Sequence, residues 1–210
     1  MSNIALYGNR HSGHSYKVKL FLALTNTPQN YQTIDLFQVR AERPALFRQH
    51  ARFGEVPLLI MDGQAFVQSN AILLHLSQTL RTMDGDNSAR INARIHEWLM
   101  WEQSRLGFSL PNLRFERKFK TDTDAAVLSW LEVRLRNDLD VLNTHLGGTD
   151  NFVASTAPSI ADCSLAGYLY WLGDAGLSVK EWPMVQAWLG RISALDGWAH
   201  PDELMLSAAR

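Results

Sequence analysis

Cysteine is almost absent: Cys163 stands alone among 210 residues. One thiol cannot close an internal disulfide, and neither a Cys-x-x-Cys redox pair nor a cysteine-based metal framework can be built from it. Charge of one sign is scarce as well. The chain carries 20 Lys and Arg against 21 Asp and Glu, a net charge of −1, so it has no long-range field to gather nucleic acid or an anionic membrane. No stretch reaches the roughly 18 apolar residues of a membrane span, and the opening MSNIALYGNRHSGHS lacks the apolar run of a secretory signal. Internal repeats and low-complexity tracts are missing too. These absences point to a cytoplasmic setting and a small-molecule partner, with no nucleic acid and no membrane.

What is present is ample apolar material, 46% of the residues, enough for one large domain or two small ones. Asn3 to Tyr7 reads as a short strand, followed by the polar turn GNRHSGH and an apolar-periodic helix from Tyr16 to Thr25, with Ser15 expected as its N-cap. Pro28 ends that region. Tyr31 to Ile34 suits a second strand and Ala41 to Gln49 a helix. Strands Val56–Met61 and Gln64–Val67 are joined by Asp62-Gly63, a favoured hairpin turn. Ser69 precedes the helical run Ala71–Leu76, where its hydroxyl can cap free N–H groups.

A polar stretch closing on Asp84-Gly85-Asp86-Asn87-Ser88 reads as a linker, and beyond it the pattern is helical. Ile91, Ile95, Trp98, Leu99 and Leu106 share one face. Leu128, Leu131, Leu135, Leu139, Leu142 and Leu146 recur at spacings of three and four, ending at Gly147-Gly148. Ser159-Ile160-Ala161-Asp162 opens a further helix as a capping box, and Trp182-Pro183 opens a last one with Val185, Trp188, Leu189 and Ile192 inward. The expected architecture is an α/β domain of order βαβ-α-ββα at 1–80, a linker at 81–88 and an all-α domain at 89–210.

That order, with Ser12 before the first helix, Val56-Pro57 opening the third strand, Gln68-Ser69 and Ser159-Ile160-Ala161-Asp162 in sequence, resembles the cytosolic glutathione S-transferase family, of the bacterial, serine-type kind. The resemblance implies a thioredoxin-like first domain that holds glutathione as co-substrate, with no tightly bound cofactor. The helical second domain would hold a small electrophile, and two chains would form a homodimer. It further implies a cis Val56–Pro57 bond, with the backbone of Val56 pairing to the cysteinyl unit of glutathione as an added strand would. Gln68 and Ser69 would receive the γ-glutamyl carboxylate at a helix start, where unpaired N–H groups favour an anion. Glu55 belongs to the same implied binding set.

The chemistry turns on the glutathione thiol, with an ordinary pKa of about 8.5. Lowering it by about two units takes roughly 2.7 kcal/mol of preference for the thiolate. A hydroxyl donating to the anion supplies about 1.5–3 kcal/mol, and a helix N-terminus about 0.3–2 kcal/mol. One hydroxyl beside the first helix therefore suffices. Ser12 holds that place in the resemblance, with His14, which could also contact the ligand's carboxylates, and Tyr7 as alternatives. His11 and His14 stand at H-x-x-H spacing without further ligands, so no metal site is expected. Cys163 reads as an inert packing residue.

Family members of the beta type carry a cysteine near this turn, and the zeta type, which isomerises maleylacetoacetate, carries Ser-Ser-Cys-Ser; this chain has Ser12-Gly13-His14-Ser15. A second-substrate pocket is expected among His11, Trp101, Arg105 and Phe108, suited to apolar electrophiles. The expected activity is glutathione conjugation, in the manner of detoxification enzymes. Glutathione-dependent reduction of disulfides or peroxides is an alternative, as is a non-catalytic protein-interaction module on the same fold.

Overall fold

A computed structural model of the chain describes residues 3–85, 88–148 and 151–206. Two compact units emerge: residues up to Arg81 together with the chain from Leu195 onward, and Thr82–Ala194.

The first unit is built on a four-stranded sheet of order β2-β1-β3-β4. Strand β1 (Ile4–Gly8) runs parallel to β2 (Asn30–Thr33) and antiparallel to β3 (Leu58–Met61), which pairs in turn with β4 (Gln64–Val67). Asp62 and Gly63 between β3 and β4 both have positive φ, the twist that a two-residue hairpin requires. Helix α1 (Gly13–Leu24) packs on β1 and on α3 (Ser69–Leu80), and α3 also packs on β4. The short α2 (Ala45–His50) closes part of the sheet through Phe47 and Ala51, which share a buried cluster with Tyr7, Ile34, Leu58 and Val67. This is the thioredoxin-like order.

Several boundaries differ from the sequence reading. The segment 41–49 divides into a 3-10 turn at Arg40–Glu42 and α2, because Pro44 lacks the N–H that would continue one helix. Strand β3 starts after Pro57 rather than at Val56. The chain from Leu195 does not stay with the helical unit. It returns to α1, where the Tyr16 hydroxyl donates to the Ala199 carbonyl at 3.1 Å and the short α9 (Pro201–Leu204) packs. Gly197 makes this approach possible, since its φ is +85° and a Cβ would collide with the Ala23 carbonyl.

The second unit is helical: α4 (Ala89–Ser104), α5 (Leu106–Phe119), α6 (Ala125–Gly147), α7 (Ile160–Ala166) and α8 (Pro183–Ser193), with 3-10 turns before α8. Of the segment read as a linker, Ser88 is the N-cap of α4, its Oγ accepting from Ile91 N–H, while Asp86 and Asn87 lie outside the described residues. Leu131, Leu135, Leu139, Leu142 and Leu146 of α6 are buried, as are all four inward residues expected on α8. The capping box at Ser159 forms, and its carboxylate does more than cap. Asp162 also accepts from Val153 N–H and from Trp188 Nε1, both at 2.9 Å, tying α7, α8 and the preceding loop together. Among the described residues no helix is long and apolar enough to cross a membrane.

Candidate active site

Strand register gathers the site. Tyr7 pairs with Leu58, and Leu58 with Val67. The turn after β1, the Val56–Pro57 bond before β3 and the Gln68–Ser69 step after β4 therefore all emerge at one end of the sheet. The side chain of Asn9 shapes the turn. Its Nδ2 donates to the Ile34 carbonyl at 2.7 Å, its Oδ1 accepts from His11 N–H at 2.8 Å, and its backbone carbonyl accepts from Ser12 N–H at 3.0 Å. Nothing in the periodicity marks Asn9, since a polar residue in a polar turn carries no distinguishing signal.

This tight turn makes Ser12, not Ser15, the N-cap of α1. Ser12 Oγ accepts from Ser15 N–H at 3.2 Å, while the fully buried Ser15 hydroxyl accepts from Asn9 N–H at 3.2 Å. A serine hydroxyl that accepts in this way keeps its own proton to give. Among the described residues the Ser12 proton has no acceptor, and the residue is 7% exposed at the N-terminal end of α1. His14 is half-buried in the first turn of α1, and His11 accepts at Nε2 from Arg10 Nε at 3.0 Å. Tyr7 is 2% exposed, packed in the sheet core with its ring against Phe47 at 6.4 Å.

The Val56–Pro57 peptide is cis. The approach to it is held by Arg43, whose guanidinium donates to the Gly54 and Leu36 carbonyls at 2.9 and 3.0 Å. At the other element, Gln68 has φ +70° and Ser69 is the first residue of α3, so the serine does not cap the helix as expected: the N-cap is Gln68, which makes no side-chain cap bond. The Gln68 side chain therefore supplies no acceptor to the N–H groups of that first turn. Gln68 Nε2 donates to Glu55 Oε2 at 3.4 Å, bringing two of the expected binding residues together. Lys17, fully buried on α1, donates from Nζ to Asn70 Oδ1 at 3.0 Å and so anchors the start of α3 to the helix that Ser12 caps.

Of the four residues expected around a second substrate, Trp101, Arg105 and Phe108 lie in the second unit. His11 belongs to the first unit. The segment whose face reads as continuous from Ile91 to Leu106 is two helices, broken at Arg105 (φ −119°, ψ −91°), whose guanidinium reaches the buried Asp138 carboxylate at 2.7 Å. Trp101 meets Trp98 edge-on at 5.2 Å, whereas Phe108 meets Trp130 at 6.0 Å. Burial pushes the Cys163 thiol far up, with the adjacent Asp162 charge adding to the effect, in keeping with an inert packing role.

Residues 2–78 match the N-terminal domain of glutathione S-transferases and residues 112–191 their C-terminal domain. Glutathione S-transferase GST-4.5 of Xanthomonas campestris pv. campestris is 30% identical over 146 residues, 67% of this chain and 71% of that protein. A probable maleylacetoacetate isomerase of Caenorhabditis elegans is 24% identical over 202 residues, 94% of this chain and 92% of that one. The crystal structure of a glutathione S-transferase from Xanthobacter autotrophicus Py2 superposes with a TM-score of 0.85 at 28% identity, covering 97% and 98% of the two chains. Given the sheet-end geometry and these likenesses, the chain belongs to the glutathione S-transferase family.

Proposed function

We propose that the protein binds glutathione at this end of the sheet, stabilises its thiolate with the Ser12 hydroxyl, and directs it at small apolar electrophiles. The observation that carries the reading is the Ser12 proton, without an acceptor among the described residues, at the N-terminus of α1. A hydroxyl hydrogen bond and the helix terminus together favour the anion by about 2–5 kcal/mol, which covers the roughly 2.7 kcal/mol needed for two pKa units. His14 takes the donor role if Ser12 does not. Tyr7 is the weaker candidate because its ring is committed to the core.

In this reading the Val56 backbone pairs with the cysteinyl unit of glutathione. The first turn of α3, with Ser69, Gln68 and Glu55, receives the γ-glutamyl end, where Gln68 and Glu55 offer oxygen acceptors to its ammonium group. The protein works as a homodimer in the cytoplasm. A second reading, glutathione-dependent isomerisation, is favoured by the isomerase relative that spans nearly the whole chain; it uses the same bound thiolate but adds it reversibly to an activated double bond.

The test is a calorimetric titration of wild type and Ser12→Ala with reduced glutathione, alongside the thiolate absorbance of the bound ligand against pH. Binding by both proteins with a lowered thiol pKa only in wild type supports the proposal. No binding by wild type sinks it and favours a protein-interaction module.

A further inference from the structure

The helical unit contains a cavity of about 800 Å³ that none of the steps above uses. One wall is a face of α4, where Ile91, Trp98 and Trp101 follow at spacings of seven and three; facing it are His145 near the end of α6 and the loop from Phe152. Trp98 lies at the centre of a continuous aromatic surface, 5.2 Å from Trp101 and 4.6 Å from the His145 ring. Such a surface favours a flat, apolar guest that offers ring faces and edges to all three.

Two polar features narrow the class of ligand. Arg94 and Glu97, both exposed, line the cavity with opposite charges, so an ion of either sign meets both attraction and repulsion there. His145 Nε2 lies 2.7 Å from the Val153 carbonyl. A carbonyl can only accept, so Nε2 carries the proton, and in the neutral ring Nδ1 is then a bare acceptor. Among the described residues Nδ1 has no donor. An aromatic surface beside one unsatisfied acceptor and a balanced pair of charges suits a neutral aromatic molecule with a hydroxyl to donate.

We propose that this cavity is a binding site for planar aromatic hydroxy compounds of the phenol or naphthol class, with the ring against Trp98 and the hydroxyl donating to His145 Nδ1. All its described lining residues lie in the helical unit. The site is assigned from these residues alone, and the inference does not rest on the proposed transferase activity.

The probes are 1-naphthol and 1-methylnaphthalene, nearly equal in shape but differing in the hydroxyl, titrated calorimetrically into the full chain. We expect one 1-naphthol per chain, bound about fivefold or more tightly than 1-methylnaphthalene, the factor of one neutral hydrogen bond. His145→Phe keeps an aromatic ring and should erase that preference. Trp98→Ala should weaken both probes by about tenfold or more, as expected for loss of a central aromatic contact. Saturating glutathione should leave the 1-naphthol affinity unchanged. Absence of saturable 1-naphthol binding, equal affinity for the two probes in wild type, or displacement by glutathione would overturn the site. If Trp98→Ala does not fold, the wild-type preference and its loss in His145→Phe decide the matter alone. Normal 1-naphthol binding in a protein that ignores glutathione would support this site while refuting the transferase reading.

Discussion

Lys17 Nζ donates to Asn70 Oδ1 at 3.0 Å across the buried contact between α1 and α3. The bond couples the helix that Ser12 caps to the helix whose first turn begins at Ser69. A buried ammonium is costly unless its protons are taken up. Asn70→Ala should lower unfolding stability by about 1.5–3 kcal/mol, the range for a hydrogen bond to a charged group. Urea denaturation measures this, and glutathione affinity should fall in the same variant because the start of α3 loses its anchor. Unchanged affinity would separate the contact from the site.

Ser12 has two roles that substitutions can pull apart. Ser12→Ala removes both the cap and the thiolate donor, whereas Ser12→Gly removes the donor while costing the helix only a few tenths of a kcal/mol. Conjugation of a model electrophile should fall about ten- to hundredfold in kcat/KM in both variants, the equivalent of about 1.5–3 kcal/mol. Only Ser12→Ala should also lose about 0.5–2 kcal/mol of stability. Full activity in Ser12→Gly would transfer the donor role to His14.

Asp162 is 1% exposed and accepts from Val153 N–H, Ser159 N–H, Ser159 Oγ and Trp188 Nε1 at 2.8 to 3.1 Å. Asp162→Ala would leave these buried donors without their acceptor. Each orphaned donor costs about 1–3 kcal/mol, so the helical unit should lose at least about 3 kcal/mol. A thermal melt of Asp162→Ala within about 2 °C of wild type would contradict this account, since a loss of that size in a domain of this length moves the midpoint by several degrees.

Lys19, a residue of α1 that is 2% exposed, has its Nζ 3.6 Å from the centre of the Tyr31 ring. Burial pulls its pKa from 10.5 down to about 8, and burial holds the Tyr31 phenol well above its ordinary value, so the tyrosine stays neutral. Between those two lysine values the unfolded chain binds more protons than the folded one, so stability should rise with pH from about 8 to about 10.5. Below pH 8 the cost of the buried charge is present in full. Lys19→Met should therefore flatten this rise, with its largest stabilisation relative to wild type below pH 8. Urea denaturation at a series of pH values measures both slopes, and parallel curves for the two proteins would contradict the assignment.

The strand at Ile4–Gly8, the Asp62-Gly63 hairpin, the leucine register of α6 and the Ser159–Asp162 box were all legible in the sequence. Each is a local pattern: alternation, a turn that needs positive φ, a helical repeat or a four-residue capping box. The candidate binding residues were named for a different reason, namely that the motifs carrying the family resemblance occur in order. Their gathering at one end of the sheet was not legible, because it depends on pairing Tyr7 with Leu58 and Leu58 with Val67 across many residues of intervening chain.

Tertiary packing decided the remainder. Asn9, reaching to Ile34, tightened the turn so that Ser12 rather than Ser15 became the cap. Arg105, paired with the buried Asp138, stands where one expected helix divides into α4 and α5. Gly197 let the chain beyond Leu195 close against α1 instead of extending the helical unit. The sequence by itself determined the elements and the family, because local propensities and short motifs are written along the chain. Only the tertiary structure decided which hydroxyl keeps a proton to donate and which aromatic side chains share a cavity, because those outcomes depend on partners distant in sequence.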